Sequence, residues 1–193
     1  MRHVKRIEFL SKYAKEGVHY DMAKEYEYAM NSAEGDHAYD VILHVKNNES
    51  ATQPTIYNAI KKYESFGVDR YPSMKEGLID KLDIENRKKL FHETPDDKTR
   101  MHLLNTTNHP DMFNTAIDYV ENNPDKSDEI QGKLAFSKNT NEEHQLRMMK
   151  SPVFDDVKPL IGMKTKHKSV YDLAMNNSNE ETRQATTLNR NFK

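Results

Sequence analysis

Between Leu90 and Asn141 the chain repeats one short pattern: an apolar patch, an Asn/Thr-rich break, then proline or acid. It reads Leu90-Phe91-His92-Glu93-Thr94-Pro95-Asp96-Asp97, then Leu104-Asn105-Thr106-Thr107-Asn108-His109-Pro110-Asp111, then Val120-Glu121-Asn122-Asn123-Pro124-Asp125. Phe136 to Glu143 and Ala174 to Glu181 say it again. This is helix punctuation. A Ser, Thr, Asn or Asp at the N-cap accepts a bond from a free backbone N–H, proline fits the first helical position, and early carboxylates meet the positive end of the helix dipole. A chain punctuated this often can build only short helices.

Apolar periodicity fills the intervals. Val4, Ile7, Leu10 and Ala14 recur at helical spacing, with Gly17 as a stop. Tyr20, Ala23, Tyr26 and Met30 mark a second helix, and Ala38, Val41, Ile42 and Val45 a third that ends at Asn47-Asn48. Ser50 to Gln53 reads as a capping box before Ile56, Ile60 and Tyr63, and Phe66-Gly67-Val68 ends that helix. Pro72 starts the next, around Leu78, Ile79 and Leu82, and Ile84 to Phe91 makes another. Further boxes are read at Thr94 to Asp97, Thr140 to Glu143 and Ser178 to Glu181, with helices beginning near Pro152 and Ser169.

From Asp96 to Asp111, Asp125 and Glu142 the steps are 15, 14 and 17 residues, so each step holds one helix and one turn. Two steps make a helix pair of roughly 30 to 35 residues, close to known solenoid periods. The run Tyr171-Asp172-Leu173-Ala174 followed by Asn177-Ser178-Asn179-Glu180-Glu181-Thr182-Arg183 resembles the HEAT/armadillo class of α-solenoid, and the likeness extends over residues 90–193. In that class an apolar helix ends and the next begins with an acidic, Arg-containing turn. Only the last unit carries the Arg there; Leu146 is read in the slot of the unit opening at Thr140. The resemblance implies a concave binding surface and no particular reaction. The expected fold is all-α, an α-solenoid-like array of about twelve short antiparallel helices. Residues 1–193 form one helical domain, with 1–50 as a possible N-terminal subdivision before a repeat array in 51–193.

Composition bounds the function. Apolar residues make up 35% of the chain and charged residues 31%, which implies a thin interior and much surface. The formal charge of −2 supplies no global field for nucleic acid or an anionic membrane. With no cysteine there are no disulfides, no thiolate nucleophile and no Cys-held zinc or iron–sulfur centre. No apolar run reaches membrane-spanning length, and charges interrupt the first residues before a signal core can form. A cytoplasmic or virion-enclosed protein is expected. Abundant Lys and Asn without Trp go with AT-rich coding, as in phages and AT-rich bacteria.

Candidate chemistry is sparse. Glu16-Gly17-Val18-His19 and Glu34-Gly35-Asp36-His37 share the pattern E-G-x-H, and paired Glu-x-x-His motifs are the ligand spacing of di-iron carboxylate bundles. Glu16, His19, Glu34 and His37 are therefore the metal candidates, for iron or zinc. Glycine at the second position of each weakens a helix interior by about 1 kcal/mol, which places both motifs at helix junctions. No G-x-S-x-G elbow or phosphate-cradling glycine loop occurs, and the carboxylate pairs sit where helix caps belong. One basic run, Lys158 to Lys168, lies mostly in a loop on this reading and makes Lys158, Lys164, Lys166 and Lys168 the nucleic-acid candidates. Ten methionines are mainly core filler, while an exposed subset would give an adaptable groove for a partner helix. The leading expectation is a non-enzymatic helical-repeat module, a phage or bacterial accessory factor that binds another protein. Its alternatives are a structural component of a virion or other large assembly, and a small metal-binding enzyme using the E-G-x-H pair. Nucleic acid ranks below protein partners and self-assembly.

Overall fold

A computed structural model describes residues 2–15, 21–67 and 70–192. Among them are thirteen α-helices, three 310 turns and no strand, so the fold is all-α as the punctuation requires. Two compact units divide the chain, Met1–Arg87 and Lys88–Lys193.

The first unit holds α1 (Arg2–Lys15), α2 (Met22–Ser32), α3 (Asp36–Asn47), α4 (Gln53–Glu64) and α5 (Pro72–Ile79), and α6 (Ile84–Glu93) begins in it. Residues 1–50 do not stand apart, because α2 and α3 pack on α4 and α3 also packs on α5. The expected apolar stripes are the buried ones: Ile7 on α1, Tyr26 and Met30 on α2, Val41, Ile42 and Val45 on α3, Ile56 and Ile60 on α4. Tyr26 is buried as a polar residue must be, with its hydroxyl hydrogen-bonded to His44 Nδ1 at 2.9 Å and accepting from Asn48 Nδ2 at 2.8 Å. Gly35 precedes α3 at φ +54° and Gly67 follows α4 at φ +67°, left-handed positions that favour glycine. Gly17, the expected stop of α1, and Tyr20 lie outside the described residues.

The second unit holds α7 (Asp97–Asn105), α8 (Pro110–Asn122), α9 (Asp128–Phe136), α10 (Glu142–Lys150), α11 (Lys158–Lys164), α12 (Lys168–Met175) and α13 (Glu180–Thr187). Its packing follows a rule of alternation. Each of α7, α9 and α11 packs on the next odd helix, and α8, α10 and α12 pack in turn on one another, which makes two layers. Between them are buried Leu103, Phe113, Ile117, Leu134, Met148, Phe154 and Val170.

Helix boundaries depart from the sequence reading in three places, each for a local reason. The caps of α4, α7, α10 and α13 are Thr52, Asp96, Asn141 and Asn179, whose side chains accept backbone N–H bonds, rather than Ser50, Thr94, Thr140 and Ser178. Thr140 spends its hydroxyl on the Ser137 carbonyl at 2.9 Å instead. Asn123-Pro124-Asp125 opens a 310 turn, and α9 starts only at Asp128, after the buried Ser127 bonds back to the Pro124 carbonyl. Lys158 to Lys164 is helix, not loop, because Pro159 sits in its first turn, where proline costs nothing.

A clamp recurs at the junctions. Four residues after the caps Asp83, Asp96 and Asn179 stand Arg87, Arg100 and Arg183, and each guanidinium reaches back to carbonyls at or just past the end of the preceding helix. Arg87 donates to Leu82 O (3.0 Å) and Asp80 O (3.1 Å), Arg100 to Phe91 O (3.0 Å) and Thr94 O, and Arg183 to Ser178 O (2.9 Å) and Asn177 O (2.5 Å). The last carbonyls of a helix lack intrahelical donors, so a forked cation there satisfies them and complements the dipole. The Arg is thus not confined to the final unit. With Asn141 as cap, the matching position of α10 is Gln145, not Leu146.

His144 shows how a cap can carry a pH dependence. Its Nδ1 accepts from the Asn141 N–H at 3.2 Å, while its own N–H donates to Asn141 Oδ1 at 2.9 Å, a capping box closed by an imidazole against Phe113. Burial pushes the ring's pKa below its usual 6.5, outweighing the opposing pull of Glu143 and the Pro110 carbonyl. The folded state therefore favours the neutral ring. This contribution is complete above about pH 6.5 and is lost as pH falls from there through the depressed folded value. His144→Gln keeps the reach-back and removes the titration, so its melting temperature should fall less than the parent's between about pH 7.5 and pH 5. Parallel slopes for the two proteins would assign the acid sensitivity elsewhere.

Candidate functional site

Alternation in the second unit has a geometric result: α9, α11 and α13 run the same way, and their C-terminal ends meet. There a groove of about 810 Å³ opens, lined by the residues that end α9, the α11–α12 loop and the segment after α13. Its floor is a chain of polar contacts. Thr165 Oγ1 donates to Gln145 Oε1 at 2.7 Å, Gln145 Nε2 approaches Thr140 Oγ1 at 3.5 Å, and the Thr165 carbonyl accepts from Asn189 (2.9 Å) and Asn191 (3.0 Å). Asn189 also donates to Gly162 O at 2.8 Å and so ties the end of α13 to the end of α11.

The rim is apolar and basic together. Phe136 and Leu188 line the groove while 52% and 59% exposed, and Met163 is half-buried between them in sequence. Lys138, Lys164, Lys166 and Arg190 supply its charge, and no carboxylate lines it among the described residues. Glu142 lies outside this lining, 3.7 Å from His167 Nδ1. Lys164 Nζ sits over the Phe136 ring, 3.8 Å from its centroid. A helix C-terminus explains Lys164, which lies in the last turn of α11. It does not explain Lys138, Lys166 and Arg190, which lie beyond their helices' last turns, where the dipole has faded.

The structure sorts the four lysines of the basic run. Lys164 and Lys166 enter the groove, whereas Lys158 is buried and bound to Asp155 at 2.5 Å, and Lys168 pairs with Asp172 beside the Tyr171 ring. Lys138 and Arg190 escaped the sequence reading. Their signal is Phe136-Ser-Lys138 and Leu188-Asn-Arg190: an apolar residue at a helix end with a cation two places on, in alternate helices.

Of the metal candidates, Glu16 and His19 lie outside the described residues. Glu34 and His37 flank the left-handed Gly35, both exposed, with His37 Nδ1 3.7 Å from Asp40. Elsewhere in the first unit, the Glu25 carboxylate is held by Arg6 at 2.9 and 3.1 Å and the His44 ring by Tyr26. No three His, Asp or Glu side chains among the described residues are grouped to hold a metal ion. The carboxylate pairs serve structure: Asp96 caps α7, Asp97 holds Arg100 at 2.6 Å and Asp155 holds Lys158. No helix among the described residues is long and apolar enough to cross a membrane. Set against known protein families, curated proteins and solved structures, the chain matches none.

Proposed function

We propose that the protein is a non-enzymatic helical-repeat module that binds another protein, and that it does so through the groove at the C-terminal ends of α9, α11 and α13. One observation carries this reading: exposed apolar side chains and unshared positive charge occupy the same rim, around a cavity within the usual size of a binding site. The two-layer packing of successive helices supports the repeat reading, since stacked repeats present extended surfaces for binding. Binding is favoured over catalysis by the floor, where Thr140, Gln145 and Thr165 spend their hydrogen-bonding groups on one another and on neighbouring backbone.

The test compares the tagged protein with Lys164→Glu/Lys166→Glu/Arg190→Glu, each used to capture partners from native lysate after nuclease treatment. All three positions are exposed, so unchanged helicity is expected. A stoichiometric protein should stay on the parent and leave the variant. A partner held equally by both would move the site off the groove, and an empty capture by the parent would count against the module itself.

A further inference from the structure

We infer that the groove's occupant is an acidic amphipathic helix of the partner, with apolar side chains on one stripe and carboxylates beside it. This rests on the protein-binding reading above and names the chemistry of the partner. Charge gives the first argument. Lys138, Lys164, Lys166 and Arg190 converge from three separate helix ends on a lining without a single acid among the described residues. In a chain whose overall charge is −2 this is a local concentration, and it is complementary to Asp and Glu.

The apolar rim gives the second. Phe136, Leu188 and Met163 interleave with those cations, so the occupant must bring apolar anchors as well as charge. A nucleic acid would bring bases that need a flat face for stacking. Phe136 is the only aromatic ring among the lining residues apart from His167, and the Lys164 ammonium already stands over its face. The same ammonium, held at the mouth by the ring, is placed to meet a carboxylate. Methionine adapts its thioether to apolar side chains of varied shape.

Backbone accounting gives the third. An extended segment needs partners for its N–H and C=O groups, ordinarily a sheet edge. There is no strand among the described residues, and the polar groups of the floor are bonded within the protein. A helix satisfies its own backbone and presents only side chains, with anchors at i, i+3 or i+4 and i+7.

The probe is a fluorescein-labelled peptide of about 16 residues with leucine on one helical stripe and glutamate elsewhere, titrated with the full chain. Three controls accompany it: glutamates changed to lysine, leucines changed to serine, and an oligothymidylate of similar length. The acidic amphipathic peptide should bind best, with about tenfold losses for each altered peptide, for Lys164→Glu/Lys166→Glu and for Leu188→Asp, and weaker binding at about 300 mM salt than at about 50 mM. Tighter binding of oligothymidylate would overturn the inference in favour of nucleic acid. Peptide binding that ignores the leucines, the glutamates or the groove substitutions would also overturn it, as would no binding at all. If lysate capture still yields a groove-dependent protein while the peptide fails, the binding module stands and the acidic helix falls. If both fail, both fall.

Discussion

Gly162→Val should destabilise the second unit by about 3 kcal/mol, the upper range for forcing extra atoms into a packed interior. Gly162 is buried in α11 where α13 crosses it, and a Cβ there would lie 2.2 Å from Thr186 Oγ1 and 3.0 Å from Ala174 Cβ. Thr186 has no room to yield. It is fully buried, and its hydroxyl donates to the Thr182 carbonyl at 2.6 Å. Glycine inside a helix costs about 1 kcal/mol relative to alanine, so its presence here is repaid by the close approach. Urea unfolding measures the loss. Introducing Thr186→Ala together with Gly162→Ala tests the cause, since removing Oγ1 removes the worst contact and the two changes should cost less together than the sum of each alone. A valine variant as stable as the parent would mean that α11 and α13 lie farther apart than described here. Because the same two helices supply Lys164 and Leu188, the valine variant should also lose groove binding.

Arg100→Met should cost about 3 to 4 kcal/mol, as breaking a buried, fully bonded charge network does. The guanidinium is 6% exposed, donates to Phe91 O and Thr94 O, pairs with Asp97 at 2.6 Å and lies 4.4 Å from the Tyr119 ring centroid. Methionine matches its length and apolar contact but removes the forked donor to Phe91 O in α6 and to Thr94 O just beyond it. Lysine carries the charge without the fork, so Arg100→Lys should recover about half of the loss. Hydrogen exchange locates the effect. Amides of α7 and of the end of α6 should lose protection first, and a loss spread evenly over the chain would show that the clamp is not local.

What the sequence revealed and what it hid divide along chain distance. Pro72, Pro110, Gly35 and Gly67 act on their own backbone, so the helices they bound could be read directly. Caps slipped by one or two residues because Asp96, Asn141 and Asn179 compete with neighbouring Thr and Ser for the same N–H groups, and only the backbone's path decides between them. The Arg clamps were partly legible: their spacing from the cap is local, but the cap had to be placed correctly to see it. Alone, Lys138 and Arg190 look like solvated turn residues. They become a site only because α9, α11 and α13 end on one side, which no window of neighbouring residues contains. Half of the basic run stays out of the groove for the converse reason, since Lys158 and Lys168 pair with Asp155 and Asp172 within their own turns.

The alternation of helices also bears on how the chain reaches its native state. Within each unit every helix finds its packing partners one or two helices away in sequence, so only short loops need to close before burial begins. Proteins dominated by such near neighbours fold in microseconds to milliseconds, and structure can start at any adjacent pair and spread. During synthesis α7 and α8 can each dock on α9 before α13 exists. The groove, which needs α9, α11 and the segment after α13, forms only after α13 has emerged, so a chain cut short before α13 would be folded in part yet lack the groove.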